Sequence, residues 1–247
     1  MKPYYDQDGV TIYHGDTLDV LPSIRGVSCV ITSPPYNCGI EYDGFADLMP
    51  VADYFGFIES VYHAAASTML PGSYGAWNVP SWIGSRCEQV FAFDEYKTIF
   101  DRHLLFQDVI IWQKSPPNGT AWGNFQTSPR IRANHEWVLV HRASGESQGR
   151  SDISWADWSR YTQSVWTINP PSDPIHPATF PAELVGRLLM LYSPIGGVVL
   201  DPFCGVGTTL VQAKAAGRRA VGIEQSERYC EEAANRLSQG VLFGAVA

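Results

Sequence analysis

The stretch from Gly196 to Leu237, GGVVLDPFCGVGTTLVQAKAAGRRAVGIEQSERYCEEAANRL, limits the fold more than any other part of the chain. Val198-Val199-Leu200 is a short buried strand, and Cys204-Gly205-Val206-Gly207 reads as a tight turn. Thr208 or Thr209 can cap a helix that runs to Ala215 or Ala216, where Gly217 supplies a stop. Ala220-Val221-Gly222-Ile223 is a second strand ending at Glu224, and Arg228 to Leu237 is a further helix. Strand, helix and strand in succession read as a βαβ unit, which predicts parallel strands. The chain is therefore an α/β protein built on a mostly parallel sheet.

The front of the chain carries the same alternation. Val10 to Tyr13 is strand-like and leads to Gly15-Asp16, and Thr17 to Ile24 reads as a short helix. Val27 to Ile31 is an apolar strand that runs into Thr32-Ser33-Pro34-Pro35-Tyr36-Asn37. Proline fixes its own backbone and holds the residue before it extended, so Ser-Pro-Pro ends a strand in a stiff corner. Tyr54 to Met69 is an amphipathic helix and Ser73 to Val79 a strand. Val109 to Gln113 and Trp137 to His141 are two more strands, expected to be antiparallel neighbours. Pro181 to Tyr192 is a helix feeding the C-terminal unit. Residues 142–165 are polar, Ser-rich and aromatic without a clean period, and read as an exposed insertion in a single domain spanning 1–247.

Composition narrows the class. The 247 residues are 45% hydrophobic and 17% charged, enough to bury a large core. No apolar run reaches the roughly 20 residues that span a bilayer, and no secretory segment opens the chain, so the expected compartment is the cytoplasm. Five cysteines without CxxC spacing and six histidines without an HxxxH pair argue against a disulfide framework or a metal site. A net charge of −8 argues against coating nucleic acid by bulk electrostatics. The charge is uneven, however. Residues 111–165 carry Lys114, Arg130, Arg132, Arg142, Arg150 and Arg160 against Glu136, Glu146, Asp152 and Asp157. Lys114, Arg130 and Arg132 are candidates for phosphate contact, although exposed arginines commonly just solvate a loop. Trp155, Trp158 and Trp166 could stack on bases, but tryptophan is more often core.

Two constellations carry chemistry. In Asp201–Thr209, DPFCGVGTT, glycines sit between a strand end and a helix N-terminus, where the backbone can approach a ligand and N–H groups are unpaired. Glu224 ends the next strand about 20 residues on, where nucleoside-binding folds read ribose hydroxyls. Leu210 stands at the third glycine of GxGxxG, which speaks against NAD. The second constellation is the proline corner itself.

DPFCGVGTT resembles the S-adenosylmethionine loop of DNA amino-methyltransferases, and TSPPY resembles their catalytic motif. The corner precedes the loop, as in the permuted beta group of that family. YHGD at Tyr13–Asp16, IIWQK at Ile110–Lys114, NHEWVLV at Asn134–Val140 and HPATFP at His176–Pro181 are similar to further family segments. The resemblance implies a Rossmann-like methyltransferase sheet with one antiparallel strand, and a target-recognition role for the 142–165 insertion. It implies S-adenosyl-L-methionine as cofactor, held by Asp16, His176, Thr179, Asp201, Phe203, Gly205, Gly207, Thr208 and Glu224. Asp16 is equally readable as the cap of the helix at Thr17. Ser33, Pro34, Pro35 and Tyr36 would be catalytic, and the substrate double-stranded DNA.

An exocyclic amine is a poor nucleophile because its lone pair is delocalised into the ring. Acceptors such as the Ser33 hydroxyl and the Pro34 carbonyl would turn that lone pair toward the methyl group. Tyr36 would stack on a base taken out of the duplex. Carbon-5 methylation would instead need a thiolate, and neither Cys38 nor Cys204 stands after a proline. Within the resemblance, Ser33 in the first position favours N4 of cytosine, with N6 of adenine the alternative. A non-catalytic nucleotide- or DNA-binding relative, or an RNA or protein amine methyltransferase, are the other readings. An associated restriction endonuclease and the oligomeric state, monomer or homodimer, are left open by the residues.

Overall fold

The computed structural model describes residues 1–43, 45–84, 90–114, 134–146, 149, 152–170, 179 and 181–239. The chain opens with a hairpin of β1 (Tyr5–Gln7) and β2 (Val10–His14). Helix α1 (Thr17–Val20) passes into a 3-10 turn at Leu21–Ser23, and β3 (Val27–Thr32) follows. A small hairpin of β4 (Glu41–Tyr42) and β5 (Phe45–Ala46) leads to α2 (Val51–Thr68) and the long β6 (Met69–Pro80). A second hairpin, β7 (Trp82–Ile83) and β8 (Val90–Phe91), precedes α3 (Phe93–Asp101). Then come β9 (Leu105–Lys114), β10 (His135–Arg142), α4 (Trp155–Tyr161), β11 (Val165–Ile168) and α5 (Ala182–Tyr192). The C-terminal unit is β12 (Val198–Asp201), α6 (Thr208–Ala215), β13 (Arg219–Glu224) and α7 (Glu227–Ser238).

Nine strands form one sheet in the order β1-β2-β13-β12-β3-β6-β10-β9-β11. From β2 to β6 every pairing is parallel. The expected reversed strand is β10, antiparallel to both β6 and β9, and the short edge strand β1 is a second. Strand β3 is buried at all six positions, as a central parallel strand covered on both faces must be. One face packs Leu184, Leu188, Leu210 and Cys230 from α5, α6 and α7. The other packs Ile58, Tyr62, Tyr96 and Phe100 from α2 and α3. Among the described residues no helix is long and apolar enough to cross a membrane.

Several elements run longer than their sequence pattern. Helix α2 starts at Val51 and β6 at Met69, because the helix passes straight into the strand. Helix α6 is capped by neither threonine. Gly207 is its N-cap, at φ +82°, and the Thr209 hydroxyl is spent on Asp201 at 2.6 Å. The 142–165 segment, expected to be an exposed insertion without a clean period, contains the short helix α4, none of whose residues is buried. It is also tied to the body where Asp152 takes 2.6 and 3.2 Å hydrogen bonds from the buried guanidinium of Arg218. Trp166 is core, whereas Trp155 is 77% exposed and stacks on Trp158 with ring centroids 5.0 Å apart.

Candidate active site

The parallel strands β3, β12 and β13 end on the same side, so the proline corner, the glycine loop and Glu224 come together. A cavity of about 550 Å³ lies between them. Its walls include Ser33 to Asn37 from the corner and Pro202 to Val206 with Thr208 from the loop. Asp16, Thr179 and Glu224 also line the cavity. Most of the residues singled out in the sequence therefore share one cavity.

Of the described residues expected to hold the cofactor, two do not reach it. The Asp201 carboxylate is turned into the protein, where it accepts from the Thr32 hydroxyl at 2.6 Å, the Thr209 hydroxyl at 2.6 Å and the Phe203 N–H at 3.1 Å. It joins corner to loop. Burial pushes its pKa up to about 6, against the three donors that favour its charge. Gly207 also faces away. A Cβ there would stand 2.8 Å from the Ala233 Cβ of α7, so glycine at this position lets two helices approach. Its neighbour Gly205 lines the cavity and gives its N–H to Glu224 at 2.9 Å. The other Glu224 oxygen accepts from Ser226 N–H at 2.8 Å, and burial raises the pKa of this carboxyl. The carboxylate also lines the cavity, where it can accept from a ligand's hydroxyl. Asp16 is the cap of α1, accepting from Leu18 N–H at 2.8 Å, and it still lines the cavity. Phe203 packs near Phe57 and forms an apolar wall. A nucleoside with ribose hydroxyls at Glu224 fits this lining.

The corner is clamped from behind. Asn37, at φ +53°, exchanges side-chain hydrogen bonds with the Met49 backbone at 2.7 and 3.0 Å. Asp47 accepts from the backbone N–H groups of Tyr36 at 2.9 Å and Ile40 at 2.5 Å. The Tyr54 hydroxyl donates to the Pro35 carbonyl at 2.8 Å. The Pro34 carbonyl has no hydrogen-bond partner among the described residues.

Behind Tyr36 lies a polar group that the sequence did not mark. The Tyr36 hydroxyl donates to Glu136 at 2.8 Å and accepts from Ser33 at 2.8 Å and from Asn78 at 2.6 Å. Asn78 also donates to Glu136 at 2.7 Å. The other Glu136 oxygen is paired with Lys114. Burial, then the Glu136 charge, holds the Tyr36 phenol well above its usual range. Lys114, expected at phosphate, is thus committed to a buried carboxylate and also lies over the Trp112 ring. The readable sign of this was an acid directly before the apolar run of NHEWVLV. His176, Arg130 and Arg132 lie outside the described residues.

A mostly parallel α/β sheet with a glycine loop and an acid at adjacent strand ends, facing the proline corner across one cavity, is a Rossmann-like arrangement suited to a nucleoside cofactor. The sequence matches the DNA methylase family of N6 and N4 type over residues 27–235, and the chain belongs to that family. It is similar to the type II methyltransferase M.ScaI of Streptomyces caespitosus, with 28% identity over 96% of this chain and 84% of that one. It is also similar to M.BglII of Bacillus subtilis, with 25% identity over 92% of this chain and 68% of the relative. TTHA0409 of Thermus thermophilus, solved in complex with S-adenosyl-L-methionine, superposes with a TM-score of 0.75 at 26% identity, covering 94% of each chain. The cytosine-N4-specific PvuII DNA methyltransferase shares the fold, with a TM-score of 0.78 at 20% identity over 98% of this chain and 91% of that one. The protein is an S-adenosylmethionine-dependent DNA amino-methyltransferase.

Proposed function

We propose that the protein methylates N4 of cytosine in double-stranded DNA, on a base turned out of the helix into the cavity beside Tyr36. The observation that carries this reading is the state of the corner. Ser33 spends its proton on Tyr36, so its oxygen presents lone pairs, and the Pro34 carbonyl adds an acceptor. Two acceptors suit an amino group, which has two N–H donors and no free lone pair until it is pyramidalised. Serine in the first position of the corner supports cytosine over adenine.

The bound cofactor supplies a methyl group already activated by its sulfonium. Glu224 and the Gly205–Thr208 loop hold and orient the nucleoside end, with Asp16 and Thr179 on the remaining walls. Tyr36 offers a ring for stacking, its hydroxyl anchored behind it. Burial pushes the Cys204 thiol well above its usual range, so it is not poised as the thiolate that carbon-5 chemistry needs. Residues 142–165, with the stacked Trp155 and Trp158 on α4, are the proposed recognition element of this one catalytic domain.

The test is to incubate the purified protein with labelled S-adenosylmethionine and unmethylated DNA, then digest for nucleoside mass spectrometry. N4-methylcytosine is the expected product. N6-methyladenine would move the specificity to adenine, and no methylated base would overturn the reading. Ser33→Ala should lower the single-turnover rate by about 10²–10³, by analogy with loss of one oxyanion-hole contact.

A further inference from the structure

The polarity of the hydrogen bonds behind the corner is fixed at one end. Glu136, paired with Lys114, is an acceptor only, so the Tyr36 hydroxyl must donate to it. With that proton committed, the Tyr36 oxygen can only accept, and Ser33 must donate to it. Asn78 donates to both Tyr36 and Glu136 and holds the two in register. We propose that Ser33, Tyr36 and Glu136 form a proton wire that leads from the target amine to a buried carboxylate, with Glu136 as the positioning residue that sets its direction.

This rests on the amino-methyltransferase reading and adds to it. When the amine nitrogen attacks the methyl carbon, an N–C bond forms and the C–S bond breaks, its electron pair going to sulfur. The nitrogen is left with one proton too many. That proton passes to the Ser33 oxygen as the Ser33 proton moves to Tyr36 and the Tyr36 proton to Glu136. The products are a neutral methylated amine, a neutral thioether and a protonated Glu136. The positive charge of the sulfonium and the negative charge of the carboxylate disappear together. The raised pKa of Tyr36 fits a phenol that relays a proton and does not keep a negative charge.

Two near-isosteric variants test the wire. Tyr36→Phe keeps the ring and removes the relay hydroxyl, and Glu136→Gln keeps the shape and removes the terminal acceptor. Each should slow single-turnover methylation by about 10²-fold, the lower range for loss of a positioned proton acceptor. Titrated affinities for S-adenosylmethionine and for DNA should stay within about twofold of wild type. The double variant should be no slower than the slower single one, because one break already opens the wire. A ¹³Cζ-tyrosine NMR signal that vanishes in Tyr36→Phe should shift in Glu136→Gln without cofactor or DNA present. Wild-type rates in either single variant, losses that multiply in the double variant, or an unmoved signal would overturn the wire while leaving the methyltransferase reading intact. If Glu136→Gln fails to bind cofactor, Tyr36→Phe alone decides by its rate. A wild-type protein that methylates no base removes both readings.

Discussion

Gly207 separates a packing role from a ligand-binding one, and its replacement by alanine can be worked out from the structure. At φ +82° an L side chain is strained, by roughly 1–2 kcal/mol. The new methyl would also stand 2.8 Å from the Ala233 Cβ and 3.3 Å from its Cα, well inside ordinary carbon contact at about 3.5–4.0 Å. Pushing α7 away costs about 1–3 kcal/mol on the scale of overpacked cores. Gly207→Ala should therefore destabilise the fold by about 2–5 kcal/mol. The assay is urea denaturation of wild type, Gly207→Ala, Ala233→Gly and the double variant. Ala233→Gly costs about 1 kcal/mol alone as a helix glycine. It should recover part of the Gly207→Ala loss, giving a coupling energy of about 1 kcal/mol that the φ strain does not share. Folded Gly207→Ala should bind S-adenosylmethionine nearly as wild type does, because the methyl points at α7. An uncoupled cycle, or a fully stable variant without cofactor affinity, would refute the packing argument.

Glu224→Gln should weaken S-adenosylmethionine binding by about 1.5–3 kcal/mol, the range for a hydrogen bond to a charged group. Calorimetric titration measures it, and unchanged affinity would mean that the carboxylate serves only Gly205 and Ser226. Asp201, raised from 3.8 to about 6, should give a pH-dependent stability. A raised folded pKa contributes stability that is complete below 3.8 and is lost as pH rises through about 6. Denaturation midpoints should fall across that window by up to about 3 kcal/mol in stability, and Asp201→Asn should flatten the fall. An equal slope in the variant would assign the titration to another group.

The sequence made local units legible. β12, α6 and β13 follow one another with short connections, so apolar runs and glycines sufficed. The proline corner was legible because proline restricts its own backbone whatever surrounds it. What the sequence hid depends on pairing between distant strands. Glu136 lies 100 residues from Tyr36, and they meet only because β10 runs antiparallel beside β6 while β3 runs parallel on its other side. Lys114 looked like a phosphate ligand because its charge was visible and its partner was not. Asp201 and Gly207 fell in a ligand-binding motif, and their burial could not be seen until Thr32 and Ala233 were placed against them.

The strand order also sets when the site can exist. In the finished sheet β2 and β3 are separated by β13 and β12, which are made last. During synthesis the first two long strands emerge with no partner between them, and pairing them directly would close the gap their true neighbours need. The two C-terminal strands must enter as a wedge, so the sheet depends on contacts of very long sequence separation and completes late. The Thr32–Asp201 hydrogen bond spans that same interval, so corner and loop are locked together in the step that closes the sheet. A ribosome-bound chain thus carries a proline corner with no cofactor wall facing it. It gains the power to modify DNA only once the wedge is driven home.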